Sequence, residues 1–132
     1  MTDRLTTVNP DTLSRPSGYS HGMKGNGDVL FVAGQIGWDR HGHMVTGDFA
    51  AQFAQALDNV LEVVWKAGGG PQSVARLVIY VTDKAEYRRL QKAVGAAYRA
   101  RMGKHYPAMV LVEVKALLED DAKVEIEATA IL

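Results

Sequence analysis

An α+β sandwich, with two helices on one face of a mixed sheet in the order ββαβαββ, is the fold this sequence predicts. Three observations carry that expectation. Two stretches, 48–67 and 83–102, repeat apolar residues at helical spacing. Five shorter runs read as strands, and turn residues separate each element from the next. The chain has 132 residues, 47% of them hydrophobic, so one domain over 1–132 with a buried core is expected.

Residues 1–16, ending in Arg15-Pro16, are polar and hold two of the four prolines, which suggests an arm laid over a surface. From Gly18 the chain reads GYSHGMKGNGDVLFVAGQIGW. Asn26-Gly27 is a hairpin signal, because both turn positions favour positive φ, and strands near 19–24 and 29–36 are expected beside it. The GNG segment is read as a turn, since a phosphate-binding loop needs a helix after it and a strand follows here. Asp48 is placed to cap a helix to about Ala67, with Phe49, Phe53, Leu57, Val60 and Val64 on one face. Gly68-Gly69-Gly70 ends it. VARLVIYVT at 74–82 is the next strand. Asp83 and Glu86 have capping-box spacing for a second helix, striped by Tyr87, Leu90, Val94 and Tyr98 and stopped by Gly103. Strands over about 107–116 and 123–131 follow, joined by the polar turn Leu118-Glu119-Asp120-Asp121.

Lys+Arg and Asp+Glu both number 15, and a neutral chain argues against nucleic acid as a partner. The absence of cysteine excludes disulfides, thiolate nucleophiles and Cys-ligated zinc. The start, MTDRLTTVNPD, lacks a signal-like apolar run, and no run approaches the ~18 apolar residues of a membrane span. The expected setting is cytoplasmic, with no membrane partner.

Two helices can cover only one face of such a sheet. Yet VLFVA, VARLVIYV and PAMVLVEV carry apolar residues at both parities. A sheet apolar on both sides needs cover on both sides, so a homo-oligomer is expected; partial cover by the arm is the alternative. In the last strand Val124, Ile126, Ala128, Ala130 and Leu132 share the parity expected to face the helices. Glu125, Glu127 and Thr129 take the other face, where a carboxylate in a cleft between chains acts as a base or orients a water. A solvated sheet edge is the plainer role for these glutamates. His41 and His43 lie two apart in a loop without a third ligand at identifiable spacing, so no metal site is assigned. His21 fits a structural hydrogen bond, and no Ser-His-Asp set is arguable from spacing.

The pieces GYSHG, VLFVAGQIG, GDFAAQFAQALDNVLEVVWKAGG, RLVIYVTD, PAMVLVEV and VEIEATA, from about Val8 to Ile131, resemble the Rid (YjgF) family of reactive-intermediate deaminases. The resemblance implies a chorismate-mutase-like fold and a homotrimer with clefts between subunits. It also implies hydrolysis of enamines and imines to 2-oxo acids and ammonia, without a cofactor. In that family an arginine in a P-A-R-S segment holds the substrate carboxylate, and a glutamate in the last strand positions water. Carried across, the glutamate is Glu125, a lining tyrosine is Tyr19 and the polar residue of the second helix is Gln91. The serine before G-Q is Ala33, and the arginine is Met109. Gly34, Gln35 and Leu111 complete the implied substrate-binding set.

Loss of a charge-assisted arginine fork removes about 1.5–3 kcal/mol or more, roughly tenfold to over a hundredfold in affinity for an anion. That argues against a standard 2-imino-acid deaminase and for a neutral or cationic ligand, or one with an apolar group facing Met109, unless another subunit's arginine such as Arg40, Arg76 or Arg88 reaches the cleft. Three functions remain open. One is imine or enamine hydrolysis on a different substrate; another is a non-catalytic, metabolite-binding or regulatory trimer. The third, an endoribonuclease or translation inhibitor as described for some members, fits the neutral charge least.

Overall fold

The computed structural model describes residues 5–46 and 48–132, so residues 1–4 of the expected arm lie outside it. The chain forms β1 (Leu5–Val8), β2 (Gly22–Gly25), β3 (Val29–Gln35), α1 (Phe49–Lys66), β4 (Val74–Val81), α2 (Lys84–Arg89), α3 (Gln91–Met102), β5 (Ala108–Glu113) and β6 (Val124–Ile131). A four-stranded sheet runs in the order β3-β6-β4-β5, with β4 and β5 parallel and the other pairs antiparallel. The parallel pair requires the crossover that α2 and α3 provide.

Helix α1 forms where its apolar stripe predicts. Asp48 caps it through the Ala50 amide (2.8 Å), and Phe49, Phe53, Leu57, Val60 and Val64 are buried with Leu61 and Gln52. Gly68, at φ 99°, lets the chain leave the helix in a conformation that L side chains avoid. Val124, Ile126, Ala128 and Ala130 of β6 pack beneath it, completing the core.

Three local expectations are corrected. Asn26-Gly27 does not close a hairpin: β2 pairs with β1, and β3 pairs with β6. No non-glycine residue among those described has positive φ, so Asn26 does not adopt the conformation a type I′ turn needs. The segment instead carries the chain between sheets, and Asp28 extends the β3–β6 ladder by two bonds to Leu132 (3.0 and 2.8 Å). The polar arm contains β1, a short strand whose LTTV sequence has no apolar alternation to announce it. The second helix breaks at Leu90 (φ −104°, ψ 16°) into α2 and α3. Asp83 caps α2 through the Ala85 and Glu86 amides (3.0 and 3.2 Å), whereas the Glu86 carboxylate pairs with Lys123 at 3.3 Å.

The sheet face away from the helices is apolar and open. Facing residues of neighbouring strands share a side. Phe31 lies opposite Thr129, Val29 opposite Ile131, and Val110 and Val112 beside Val78 and Tyr80. Phe31 is 79% exposed and Val29 53%, so the chain supplies little cover for this face.

Candidate functional site

Residues singled out from the sequence fall on two sides of the sheet. On the open face, Glu125 stands opposite Tyr80, and Glu127 opposite Val78. The Tyr80 hydroxyl donates a short hydrogen bond to Glu127 Oε1. That bond, more than desolvation or the Glu125 charge, holds the phenol above its ordinary pKa and keeps it a donor. Glu125 makes no such bond among the described residues. Its carboxylate fills the space where Gly34 lacks a side chain: a Cβ there would lie 2.9 Å from Glu125 Cδ and closer still to Oε2. Gly34 lies within a register shift between Val32 and Gln35, where a bulge re-aims the strand. The Gln35 side-chain Nε2 donates to the Ala33 carbonyl at 3.1 Å, bracing the same irregularity.

On the helix side, Tyr19, Gln91, Met109 and Leu111 line one cavity of about 860 Å³ between α3 and the edge strand β5. Met109 and Leu111 sit beside Leu77 and Ile79 of β4, on the face opposite Glu125. Tyr19 is brought there by its neighbour: the Ser20 amide donates to the Pro107 carbonyl (3.1 Å) and the Ser20 hydroxyl to the Tyr106 carbonyl (2.6 Å). Tyr98 and Tyr106 stack at 5.5 Å between centroids and form an aromatic wall. Burial raises the Tyr98 pKa, and its hydroxyl donates to the His105 carbonyl at 2.6 Å.

Lys92 and Arg99 also line this cavity, and neither is apparent from the helix stripe alone. The signal was their spacing with Gly95, at positions i, i+3 and i+7 along the flank of the apolar stripe. No aspartate or glutamate is among the lining residues. Arg40, Arg76 and Arg88 of the same chain do not line it; their expected approach is from a neighbouring subunit.

The histidines serve structure. His21 Nε2 bonds the Ser14 carbonyl at 2.6 Å and its amide donates to Asn9 Oδ1, tying down the loop before β2. In the 38–44 loop Asp39 Oδ1 accepts from the His41 and His43 amides (2.8 and 3.0 Å). Those bonds, the His43 amide first and the His41 amide second, hold the Asp39 carboxyl below its ordinary pKa. A depressed carboxylate stabilises the loop above about pH 4, and that contribution is lost as pH falls through the folded value. The protection factors of the His41 and His43 amides, each taken against the intrinsic exchange rate at the same pH, are therefore expected to fall selectively on acidification, and in Asp39→Ala at neutral pH. Equal protection of both amides at pH 7 and pH 2.5 would contradict this. Among the described residues no cluster of three His, Asp or Glu is arranged to hold a metal, and no helix is long and apolar enough to cross a membrane.

Helices on one face of a β3-β6-β4-β5 sheet, with a hollow beside the parallel edge strand, define a small α+β protein of the YjgF/Rid fold. The chain belongs to the Rid (YjgF) family: a family model described as Endoribonuclease L-PSP matches residues 11–132. It is 35% identical over 113 residues to a RutC family protein of Pyrococcus horikoshii, covering 85% of each chain. It is also 35% identical over 108 residues to the 2-iminobutanoate/2-iminopropanoate deaminase of Escherichia coli K12, covering 80% of each. The crystal structure of the Rid-family protein YyfB from Yersinia pestis superposes with a TM-score of 0.84 at 35% identity, over 98% of this chain and 99% of that one.

Proposed function

We propose that this protein hydrolyses an imine or enamine to a carbonyl compound and ammonia, in a cleft between subunits of a homotrimer and without a cofactor. Glu125 orients the attacking water and takes its proton as the oxygen bonds to the imine carbon. The resulting carbinolamine expels ammonia as its nitrogen is protonated and the carbonyl forms. The observation that carries this reading is the Glu125 carboxylate, free of hydrogen bonds within the described residues and set against the bare backbone of Gly34. Tyr19, Gln91, Met109 and Leu111 lie on the other side of the sheet, so a cleft combining them with Glu125 requires a neighbouring subunit. The open apolar face is consistent with such packing. Deaminase activity in the E. coli relative supports the reaction class. Met109 at the arginine position favours a substrate other than the short 2-imino acids, and it also motivates the alternative, a trimer that binds a metabolite without turnover.

Ammonia release separates the two. Imines generated in place by an amino-acid oxidase and by an amine oxidase are offered to wild type, Glu125→Gln and Met109→Arg. Hydrolysis of at least one imine, reduced about a hundredfold or more in Glu125→Gln, is expected. Met109→Arg is expected to gain on short 2-imino acids by roughly tenfold to a hundredfold. No wild-type turnover on either imine class, or full turnover in Glu125→Gln, would overturn the hydrolytic reading.

A further inference from the structure

The helix-side cavity carries charge of a sign opposite to what Met109 alone suggests. Lys92 and Arg99 both line it, no carboxylate of the same chain does among the described residues, and neither cation has an ion-pair partner among them. The neighbouring arginines differ: Arg89 pairs with Glu86, and Arg101 with Asp58 at 2.7 Å. Gly95 explains how Arg99 is held. A Cβ on Gly95 would stand 3.1 Å from Arg99 Nη1 and 3.9 Å from Cζ, so the guanidinium lies back along α3 rather than extending away from it. Glycine inside a helix is unfavourable relative to alanine, and here its bareness makes room for that guanidinium. Apart from the neutral polar Ser17 and Gln91, the rest of the hollow is mainly apolar or aromatic, from Phe53, Tyr87, Tyr98 and Tyr106 to Met109. Its volume of about 860 Å³ exceeds what a three- or four-carbon acid fills.

We propose that the cavity between α3 and β5 binds an aromatic or bulky apolar molecule bearing a carboxylate at its far end, with Arg99, assisted by Lys92, as the specificity-determining cation. The apolar body lies against Met109 and the tyrosines, and the anion is placed on the helix wall instead of the strand wall. The inference rests on the hydrolytic reading only for naming this ligand as substrate; binding itself does not depend on Glu125. It reverses the ligand charge expected from Met109, because a helix supplies the cation that the strand lacks.

Binding of phenylacetate, its neutral counterpart phenylacetamide, and 2-oxobutyrate is measured by calorimetry and by shifts of cavity amides in NMR. Phenylacetate is expected to bind about tenfold or more tighter than either of the others in wild type. Arg99→Ala is expected to remove most of that preference, Arg99→Lys to keep part of it, and Lys92→Ala to weaken it less. Gly95→Ala is expected to raise the melting temperature while reducing the preference, a split that a purely structural role for this helix face does not produce. The preference should also shrink as salt rises. Equal binding of acid and amide, tighter binding of 2-oxobutyrate, no binding of phenylacetate, or a preference unchanged in Arg99→Ala would each overturn the proposal. Acid-selective binding in a protein that releases no ammonia would sustain this site and reject the hydrolytic reading. Turnover of uncharged imines without acid selectivity would do the reverse.

Discussion

Gln52→Ala is expected to lower the unfolding free energy by about 2–4 kcal/mol, seen as a lower denaturant midpoint with an unchanged slope. Gln52 is only 1% exposed, a polar side chain within the apolar face of α1. Its amide donates to the Asp121 carbonyl at 3.0 Å and its carbonyl accepts from the Lys123 amide at 2.8 Å. Both partners belong to the segment that leads into β6, so one side chain fastens the helix to the entry of the central strand. Alanine removes two hydrogen bonds, strands the groups that made them and leaves a void. Glutamate keeps the acceptor for Lys123 but turns an anionic oxygen toward the Asp121 carbonyl. Gln52→Glu is therefore expected to be no more stable than Gln52→Ala at neutral pH, and near-wild-type stability in either variant would refute the account. The same locality is tight at Gly37, where a Cβ would meet the Gln52 Cα at 3.0 Å.

Gly34→Ala is expected to cost no more than about 1 kcal/mol while Glu125 is present, because the carboxylate it crowds ends a flexible side chain that swings aside, and to be close to neutral in a Glu125→Ala background. The reason is space, not backbone freedom. Gly34 has no positive φ, but a Cβ on it would crowd Glu125 Cδ at 2.9 Å and Cγ at 3.1 Å. A double-mutant cycle on denaturation midpoints isolates the term. Equal effects of Gly34→Ala in both backgrounds would mean that the carboxylate is not seated there. If Glu125 also orients the hydrolytic water, the displaced carboxylate is expected to lower turnover by about tenfold or more without loss of its charge.

Much of the fold was legible because local chemistry and tertiary need agreed. Asp48 caps α1, Asp83 caps α2, and the β6 alternation assigns Val124, Ile126, Ala128 and Ala130 to the core. The hairpin expected at Asn26-Gly27 failed because two better-matched partners existed for its strands. β3 gains a central neighbour in β6, and β2 gains the polar β1 that no apolar pattern announces. The break at Leu90 was equally hidden, since the stripe of Tyr87, Leu90, Val94 and Tyr98 runs across it.

For the candidate site the division is sharper. Single residues were readable: Glu125 on the outer parity of β6, Met109 at the position where the family resemblance calls for arginine, Tyr19 near the start. Their grouping was not, because strand parity and helix phase are local while a cavity is assembled from segments far apart in sequence. Glu125 and Met109 occupy opposite faces of one sheet, a separation that follows only from the register of β4 against both β5 and β6. Arg99 becomes relevant only once α3, packed on α1, faces β5 across the cavity and Gly95 leaves room for its guanidinium. The sequence by itself determined the layers, the caps, the buried stripe and the surplus apolar face, all set by spacing along one segment. Only the tertiary structure decided which strands pair, which residues share a cavity and what charge that cavity holds, because those depend on distances between segments that spacing does not encode.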